Sequence, residues 1–490
     1  MEVPKVKYWR MVLVLSGVTF LSGASNLSII LALPDIAQEF GASLFVIIWV
    51  VLGYSLISNA LAIPMGRLAD MYGRKKLLLV GLSIFGIGNL LAFFSQDITQ
   101  LVGTRIIMGV GAAMTAGLAQ AIAVDVAPAS SRGKALGIAT SGWSIGVLSG
   151  PVIGGLLLTL TSWRIIFLLF AVFAVFIAIS AIILLPKIKT ARLGGHFDFI
   201  GAILFPLSLA SMLMAMTLGM DPRLGTSFQI PLFVISLVLF ALFVVAEWKG
   251  KHPMIDFRLL KDKQYSFALG LGGLYTLSHQ GFPVAITFYL VALRGFSSLE
   301  VAMVLIIAPI IGLLGPVGGW ISDKVSVVIP IGIGFFLVAI GFLGLALGTA
   351  TLSILGLLLM AGVIGVGALL AWTPTTSMAL GAVGKENLAV GASILFSARQ
   401  VGSQMSQALF VLVIGSFVGG AADQIFRRGS DPSVSDISAG LLGMQTVFQL
   451  NMLVAVAGFL RRPVRLGGDD VIEREIAGVS AIREEAQERL

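Results

Sequence analysis

The sequence contains no cysteine, and this absence excludes disulfide bonds, thiolate metal sites and cysteine nucleophiles. Charged residues are also scarce, at 11% of the 490 residues against 57% hydrophobic residues. So few charges do not cover the surface of a soluble globule of this length, which indicates an integral membrane protein. The sequence also lacks a phosphate-binding loop, a nucleophile elbow and a cluster of His and carboxylate ligands. It therefore indicates neither an enzyme nor a bound cofactor or metal.

What the sequence has instead is a series of apolar runs that match the thickness of a bilayer. At a rise of 1.5 Å per residue, about 20 apolar residues cross the hydrocarbon core. The first run follows Lys5, Lys7 and Arg10 but is too long for a signal peptide, so we interpret it as a span. We predict fourteen spanning helices, at residues 11–33, 44–64, 77–95, 101–124, 135–158, 163–185, 199–218, 229–247, 265–292, 300–320, 325–348, 352–376, 388–418 and 441–460.

Positive charges are distributed unevenly between the two sides of these predicted helices. Lys and Arg concentrate in alternate loops, whereas the loops on the other side hold only Arg164, Arg223, Arg294, Arg427 and Arg428. This asymmetry predicts a multi-pass protein of the cell membrane with both termini cytoplasmic. It also accounts for the net charge of +8, so we expect no nucleic-acid partner.

A charged segment from Gly66 to Lys76 separates the second and third apolar runs and predicts a tight cytoplasmic turn. Gly66 and Gly73 would let the backbone turn and pack closely, and Asp70 can pair with Arg67 or with Arg74, the next cation. The pattern of two glycines, one aspartate and a basic pair resembles the signature loop between helices 2 and 3 of the major facilitator superfamily. An ordinary positively charged loop would explain the cations but not this spacing.

A weaker copy of the same pattern follows the tenth predicted helix. Gly319 precedes Asp323 by four residues, as Gly66 precedes Asp70. Two related halves are typical of transporters whose binding site lies at the membrane midplane between the repeats.

The resemblance implies an all-α fold of two six-helix bundles with two additional helices between them. It is most similar to the fourteen-span drug:proton antiporter branch of the superfamily. We accordingly predict an N-terminal bundle at 1–186, a linker with two inserted transmembrane helices at 187–263, a C-terminal bundle at 264–460 and a cytoplasmic tail at 461–490.

The fifth predicted helix carries a ridge of glycines at intervals of four, formed by Gly142, Gly146, Gly150 and Gly154, with Pro151 among them. Such a ridge lets another helix approach closely. It resembles the antiporter motif of the superfamily, which implies export and a contact with the second helix of the other half. A ridge that only packs helices is the alternative.

The fourth predicted helix places Arg105 inside an apolar run, at a cost of about 2.5–3.5 kcal/mol on insertion scales unless it meets a partner. The resemblance implies a role in coupling to protons or substrate, and snorkelling to the membrane surface is the alternative. The resemblance also implies that Asp125, at the other end of this helix, pairs with Arg74 in a cytoplasmic gating cluster. A simple capped helix end remains the alternative there.

Three predicted helices of the second half carry polar or aromatic residues near mid-span. These are Arg399 in the run 388–418, Tyr275, His279 and Gln280 in the run 265–292, and Trp372 in the run 352–376. We predict that they line a substrate cavity. His279 titrates in the physiological range when unperturbed, so it is a candidate for proton coupling. A helix clamp for Arg399 and a packing role for His279 are the alternatives.

The first predicted helix departs from the family pattern. Cation exporters of this branch usually carry an aspartate there, whereas this sequence has Ser25 and Asn26, which we assign to the cavity. Asp and Glu occur only near the ends of the runs, so Asp35 joins Arg105 and His279 as a proton-coupling candidate. Deep charges that are all positive disfavour dications and tolerate anionic, neutral or zwitterionic substrates.

Taken together, the sequence predicts a monomeric secondary transporter that contacts membrane lipids and moves a small molecule. The favoured function is proton-coupled export of small amphipathic compounds, as in multidrug efflux, by alternating access. An importer or uniporter of an organic anion is the first alternative, because the first-helix acid is missing. A lipid flippase and a receptor using the loop at 419–440 are the others.

Overall fold

The computed structural model describes residues 5–128, 131–186, 199–221, 226–250, 257–314, 317, 320–321, 327–383, 388–418 and 434–460. Within these ranges the regular structure is helical throughout, as the sequence predicts. The helices are α1 (Lys5–Phe40), α2 (Leu44–Ile47), α3 (Trp49–Tyr72), α4 (Arg74–Phe93), α5 (Ile98–Val126), α6 (Arg132–Leu160), α7 (Trp163–Leu184), α8 (Phe199–Thr217), α9 (Thr226–Lys249), α10 (Lys263–His279), α11 (Phe282–Phe288), α12 (Ser298–Gly312), α13 (Val328–Leu347), α14 (Ile354–Gly381), α15 (Leu388–Val418) and α16 (Val434–Leu460).

Twelve of the described helices are long and apolar enough to cross a membrane. The two remaining predicted spans look different. The run 265–292 forms α10 and α11 with a break between them, and a π-helical turn (Tyr289–Leu293) follows. The run 300–320 contains α12, which has only 15 residues, and part of its remainder lies outside the described residues. The predicted count of fourteen is therefore not confirmed.

The break between α10 and α11 has a local cause in the sequence. Pro283 lies in the first turn of α11, where its missing N–H group costs no helical hydrogen bond. Gly281, just before it, approaches α15 so closely that an added Cβ would lie 2.7 Å from Ser406 O. The Gly281 N–H group donates to Ser406 Oγ at 2.8 Å. The interrupted backbone is thus stabilised by a neighbouring helix.

The helix ends gather at two faces of the molecule. The first face contains the end of α1, Ser43 before α2 and the start of α7, and we call it the Ser43 face. There Arg164 of α7 donates to Glu39 of α1. At the second, which we call the Arg74 face, Arg74 Nη1 lies 2.6 Å from Asp125 Oδ2. The predicted orientation makes the Arg74 face cytoplasmic. We refer to α1–α7 as the first bundle and to α10–α16 as the second bundle.

The signature segment is more helical than the sequence suggests. The prediction of a turn from Gly66 to Lys76 is wrong, because α3 continues to Tyr72 and α4 begins at Arg74. Only Gly73 lies between them, with a φ of +104°, a conformation that other residues rarely adopt. A Cβ at Gly66 would meet no atom within 4 Å, so this glycine does not serve close packing here.

Three residues of the predicted gating group cannot be placed against their partners. The side chains of Arg67 and Asp70 lie outside the described part of α3. Asp323 also lies outside the described residues.

The glycine ridge of α6 packs against α1 of its own bundle. A Cβ at Gly150 would lie 2.9 Å from Ala24 O, and one at Gly154 would lie 2.8 Å from Ser28 O. Ser28 Oγ donates to Gly150 O at 2.8 Å across the same seam. Gly142 and Gly146 approach α1 in the same way.

The expected contact of this helix with the second helix of the other half is present, and it is made by the next glycine of α6. A Cβ at Gly155 would lie 2.9 Å from Ala302 Cβ and 3.2 Å from Ser298 O, both in α12. The ridge and the contact between bundles therefore occupy adjacent faces of one helix. Gly155 lies near the end of α6, just before Arg164 at the start of α7, so this contact lies near the Ser43 face.

The inserted helices α8 and α9 pack against each other, and α8 also contacts α3 and α15. Near the Ser43 face, Trp49 Nε1 donates to Thr217 Oγ1 at 3.0 Å. Ser43 Oγ lies 3.5 Å from Asp221 Oδ2, just beyond α8. The inserted pair thus touches both bundles along the side formed by α3 and α15.

Candidate substrate site

Three helices of the second bundle bring polar and aromatic side chains together. Tyr275 and His279 come from α10, Trp372 comes from α14, and Arg399 comes from α15. The ring centroids of Tyr275 and His279 lie 4.1 Å apart, and those of Tyr275 and Trp372 lie 5.9 Å apart. We call these four residues the Arg399 cluster. The sequence assigned all four to the substrate cavity, and the structure brings them into contact.

Arg399 is held against Trp372 in two ways. Its guanidinium carbon lies 4.0 Å from the centroid of the indole ring, a cation–π arrangement, and its Nη2 donates to Trp372 O at 3.1 Å. The side chain is only 5% exposed, and its Nε has no hydrogen-bond partner within the described structure. Gly272 makes room for it, since a Cβ there would lie 3.3 Å from Arg399 Nε. The expectation of a deep arginine in this helix is confirmed.

His279 sits at the end of α10, where its ring is half-buried. Its Nδ1 lies 2.7 Å from Tyr275 O. Because a carbonyl oxygen only accepts hydrogen bonds, Nδ1 carries the proton in this arrangement. Nε2 then keeps its lone pair, and no described residue donates to it. The histidine therefore has one nitrogen fixed by the helix and one open to a proton or a ligand.

One residue beyond Arg399, the two bundles are joined by a hydrogen bond. Gln400 Nε2 of α15 donates to Asn59 Oδ1 of α3 at 2.7 Å. This pair was not among the predicted contacts. A signal for it was present in the sequence, because an amide in the middle of an apolar run usually bonds to a neighbouring helix. Further along α15, the amide of Gln404 is buried without a partner in the described part of the chain.

Arg105 occupies a different place from the Arg399 cluster. It is 0% exposed in the first bundle, where Nε donates to Val50 O at 2.7 Å and the guanidinium lies 4.3 Å from the Tyr54 ring centroid. The alternative of snorkelling is wrong, because the side chain turns inward and finds partners in α3. Both terminal nitrogens lack a hydrogen-bond partner among the described residues.

The remaining predicted cavity residues are spread along α1 and α10. Ser25 is buried, and Asn26 is half-buried with its Oδ1 unpaired within the described ranges. Gln280 is half-buried at the break that ends α10. Asp35 is half-buried in α1, close to the Ser43 face. Their place in a cavity stays a prediction.

The expected pair at the Arg74 face is present. Arg74 of α4 and Asp125 of α5 form an ion pair of 2.6 Å, with side chains 26% and 32% exposed. Such exposure limits the pair to about 1 kcal/mol or less, so it is suited to opening and closing. Lys75 donates to Leu185 O and ties the same end of α4 to α7.

Comparison with known protein families shows which proteins this chain resembles in sequence. The profile of the Major Facilitator Superfamily matches residues 15–406. The riboflavin transporter RibZ of Clostridioides difficile is 29% identical over 83% of this chain and 88% of its own length. The multidrug resistance protein Stp of Mycobacterium tuberculosis strain CDC 1551 / Oshkosh is 28% identical over 90% of this chain and 83% of its own. The multidrug efflux pump LfrA of Mycolicibacterium smegmatis is 26% identical, with coverages of 89% and 84%.

Solved structures of transporters share the fold. A bacterial homologue of the human lysosomal transporter Spinster, in an inward-facing and unoccupied conformation, aligns with a TM-score of 0.69 at 14% identity. The alignment covers 93% of this chain and 96% of that one. A POT family transporter in complex with 5-aminolevulinic acid aligns with a TM-score of 0.66 at 16% identity, covering 92% and 95%.

Proposed function

This chain belongs to the Major Facilitator Superfamily, and we propose that it exports small amphipathic compounds in exchange for protons by alternating access of its two bundles. The observation that carries the proposal is the Arg399 cluster, in which two aromatic rings, an imidazole and a guanidinium meet where α10, α14 and α15 are in contact. Apolar and aromatic walls with a few polar groups are the usual composition of a small-molecule site.

Export is supported by two independent features. The sequence carries the glycine and proline pattern of the superfamily's antiporters, and two of the three relatives described above are named for multidrug resistance or efflux. The third relative is named as a riboflavin transporter. These names support a small organic substrate for this chain.

Alternating access is supported by where the bundles touch. Gly155 of α6 meets α12 near the Ser43 face, and the bond between Asn59 and Gln400 lies at mid-helix. The ion pair of Arg74 and Asp125 joins helices of one bundle at the opposite face. We interpret this arrangement of contacts as a state that is closed at the Ser43 face. In this state a substrate would reach the Arg399 cluster through the Arg74 face.

His279 is the proposed proton carrier, with Asp35 and Arg105 as the other candidates. Its Nδ1 is held by Tyr275 O, so protonation at Nε2 would change the charge of the cluster without moving the ring. A second positive charge beside Arg399 would alter the binding of a charged or polar substrate. Proton binding and substrate binding would then be coupled within one group of contacts.

The test is a flux assay in proteoliposomes with an imposed pH gradient, using a lipophilic cation and an amphipathic anion side by side. Movement of either compound against its own gradient, lost when a protonophore is added, is the expected result. His279→Gln should abolish this uphill movement but retain exchange of labelled for unlabelled compound, because the amide is polar and of similar size but does not titrate. His252→Gln, which changes a histidine in the predicted loop before α10, is the matched control.

A second candidate function is facilitated transport of an organic anion without protons. It is favoured by the absence of Asp and Glu from the middle of the predicted spans. Movement that ignores the pH gradient in both the wild type and His279→Gln would reject proton coupling and support this function.

A further inference from the structure

The charge of Arg399 is not balanced by the protein residues around it. No described carboxylate lies within ion-pair distance of its guanidinium, and its one hydrogen bond among the described residues goes to the neutral Trp372 O. The side chain is nevertheless 95% buried, being 5% exposed. A buried guanidinium gains most from an anionic partner that accepts two parallel hydrogen bonds. Its environment therefore favours an anionic group on whatever the cluster binds.

The aromatic part of the cluster defines the shape of such a ligand. The Trp372 side chain is in contact with Arg399 and still 40% exposed, so part of the indole is available to a further group. Tyr275 approaches the indole with its ring at 64°, which forms a corner instead of a parallel stack. A flat ring system packs well against an exposed indole in offset or edge-to-face geometry.

The same residues disfavour a cation. A ligand cation placed on the exposed part of Trp372 would lie near the Arg399 guanidinium, which already occupies the indole face at 4.0 Å. Like charges at such short range repel in a site with little water. The second deep guanidinium, Arg105, adds to the positive potential of the bundle interior and has no described carboxylate partner.

We propose that the Arg399 cluster binds planar aromatic anions, with the Trp372 indole against the ring system and the Arg399 guanidinium on the carboxylate or similar anionic group. This inference rests on the proposed function, because it assigns a substrate class to the same site. It makes Arg399 the residue that selects ligand charge and Trp372 the residue that selects ligand shape.

The experiment measures equilibrium binding of three ligands of equal size to the purified full-length protein in detergent. Tritiated 2-naphthoate, 2-naphthamide and 2-naphthylmethylammonium carry the same ring with a negative, neutral or positive group. We expect the wild type to bind 2-naphthoate at least about tenfold more tightly than the amide, and the cation more weakly than either. Equal affinities, or tighter binding of the cation, would overturn the proposal.

Variants separate charge selection from shape selection. Arg399→Gln should abolish the preference for 2-naphthoate over the amide, whereas Arg399→Lys should retain part of it, because lysine keeps the charge without the fork of two donors. Trp372→Leu should weaken all three ligands by a similar factor. Arg164→Gln removes a cation at the Ser43 face and should leave the preference unchanged. A preference that survives in Arg399→Gln would reject the assignment, and gel filtration with thermal unfolding verifies that each variant is folded.

The binding result does not depend on proton coupling or on the direction of transport. If 2-naphthoate binds selectively through Arg399 but no uphill flux occurs, the site assignment stands and the exporter function fails. If pH-driven flux occurs but binding does not depend on Arg399, the exporter function stands and the site assignment fails.

Discussion

Gln400 donates to Asn59 across 2.7 Å, and this single hydrogen bond joins the middle of α15 in the second bundle to the middle of α3 in the first. Both side chains are half-buried. A neutral hydrogen bond of this kind contributes about 0.5–1.5 kcal/mol. That is enough to bias an equilibrium between two conformations and small enough to break in each transport cycle.

We expect Asn59→Ala to shift the protein away from the state described above. A loss of about 1 kcal/mol changes the ratio of two conformations about fivefold. The chain has no cysteine, so Thr376→Cys, one turn beyond Trp372 towards the Arg74 face, provides a unique label site. Its reaction rate with a membrane-impermeant maleimide in inside-out vesicles should fall by up to about fivefold in the Asn59→Ala background.

The control is Asn89→Ala, which removes a buried amide whose Nδ2 donates within its own helix, to Phe85 O at 2.9 Å. It should leave the labelling rate at Thr376→Cys unchanged. Gln400→Ala should match Asn59→Ala, and the double variant should be no worse than either, since both remove the same bond. An unchanged or faster rate in Asn59→Ala would refute the role of this bond.

The two signature glycines should respond oppositely to alanine. Gly73→Ala places a Cβ at a φ of +104° and is expected to lower the free energy of unfolding by about 1 kcal/mol. Gly66→Ala adds a methyl group in helix α3 with no atom within 4 Å, so stability should be unchanged or rise by up to about 1 kcal/mol. Denaturant unfolding in detergent measures both. Destabilisation by Gly66→Ala would mean that its surroundings are more crowded than this structure has them.

The glycine ridge should tolerate no side chain at its contact with α1. Gly146→Ala would place its Cβ on the backbone of α1 at Phe20, so we expect a loss of at least about 1–3 kcal/mol from overpacking. Gly137→Ala is the matched control, because it lies in the same helix with no atom within 4 Å. Thermal unfolding and the yield of folded protein compare them. Equal stability of the two variants would place the ridge elsewhere.

The aromatic ring of Tyr54, which contacts Arg105, should contribute more to stability than the Tyr54 hydroxyl group. Tyr54→Phe keeps the ring at 4.3 Å from the guanidinium and should change the free energy of unfolding by less than about 0.5 kcal/mol. Tyr54→Leu removes the cation–π contact, worth about 2 kcal/mol at a desolvated site, and leaves the guanidinium with fewer partners. Thermal unfolding in detergent should therefore rank the wild type and Tyr54→Phe together, well above Tyr54→Leu. A Tyr54→Phe variant as unstable as Tyr54→Leu would show that the hydroxyl group is the partner.

Features that depend on short stretches of sequence were predictable. Run length and hydropathy located the twelve described spans because a helix satisfies its backbone hydrogen bonds within one segment. The ion pair between Arg74 and Asp125 was predictable because the resemblance to the superfamily implies a charge cluster at this end of the spans. The break at Gly281 was not, although Gly281 and Pro283 stand in the sequence, since the apolar run continues through them.

Contacts between helices were predictable only as residue types. Tyr275, His279, Trp372 and Arg399 stood out as polar or aromatic groups in apolar runs, but nothing in the sequence said that Arg399 stacks on Trp372. The ridge of α6 was recognisable as a close-packing surface, but the sequence did not show that its glycines at intervals of four meet α1. The hydrogen bond of Asn59 was not predictable, because its partner lies 341 residues away in the sequence.

The amino-acid sequence by itself determined that this chain is a multi-pass helical membrane protein, which residues are costly to bury, and the family to which it belongs. Only the tertiary structure decided which helix each of those residues meets. The physical reason is that lipid and protein interior are equally apolar, so hydropathy does not distinguish the face of a helix that packs from the face that meets lipid. Helix packing sets the partners of Arg399, Gln400 and the α6 glycines. The proposed transport function depends on these contacts.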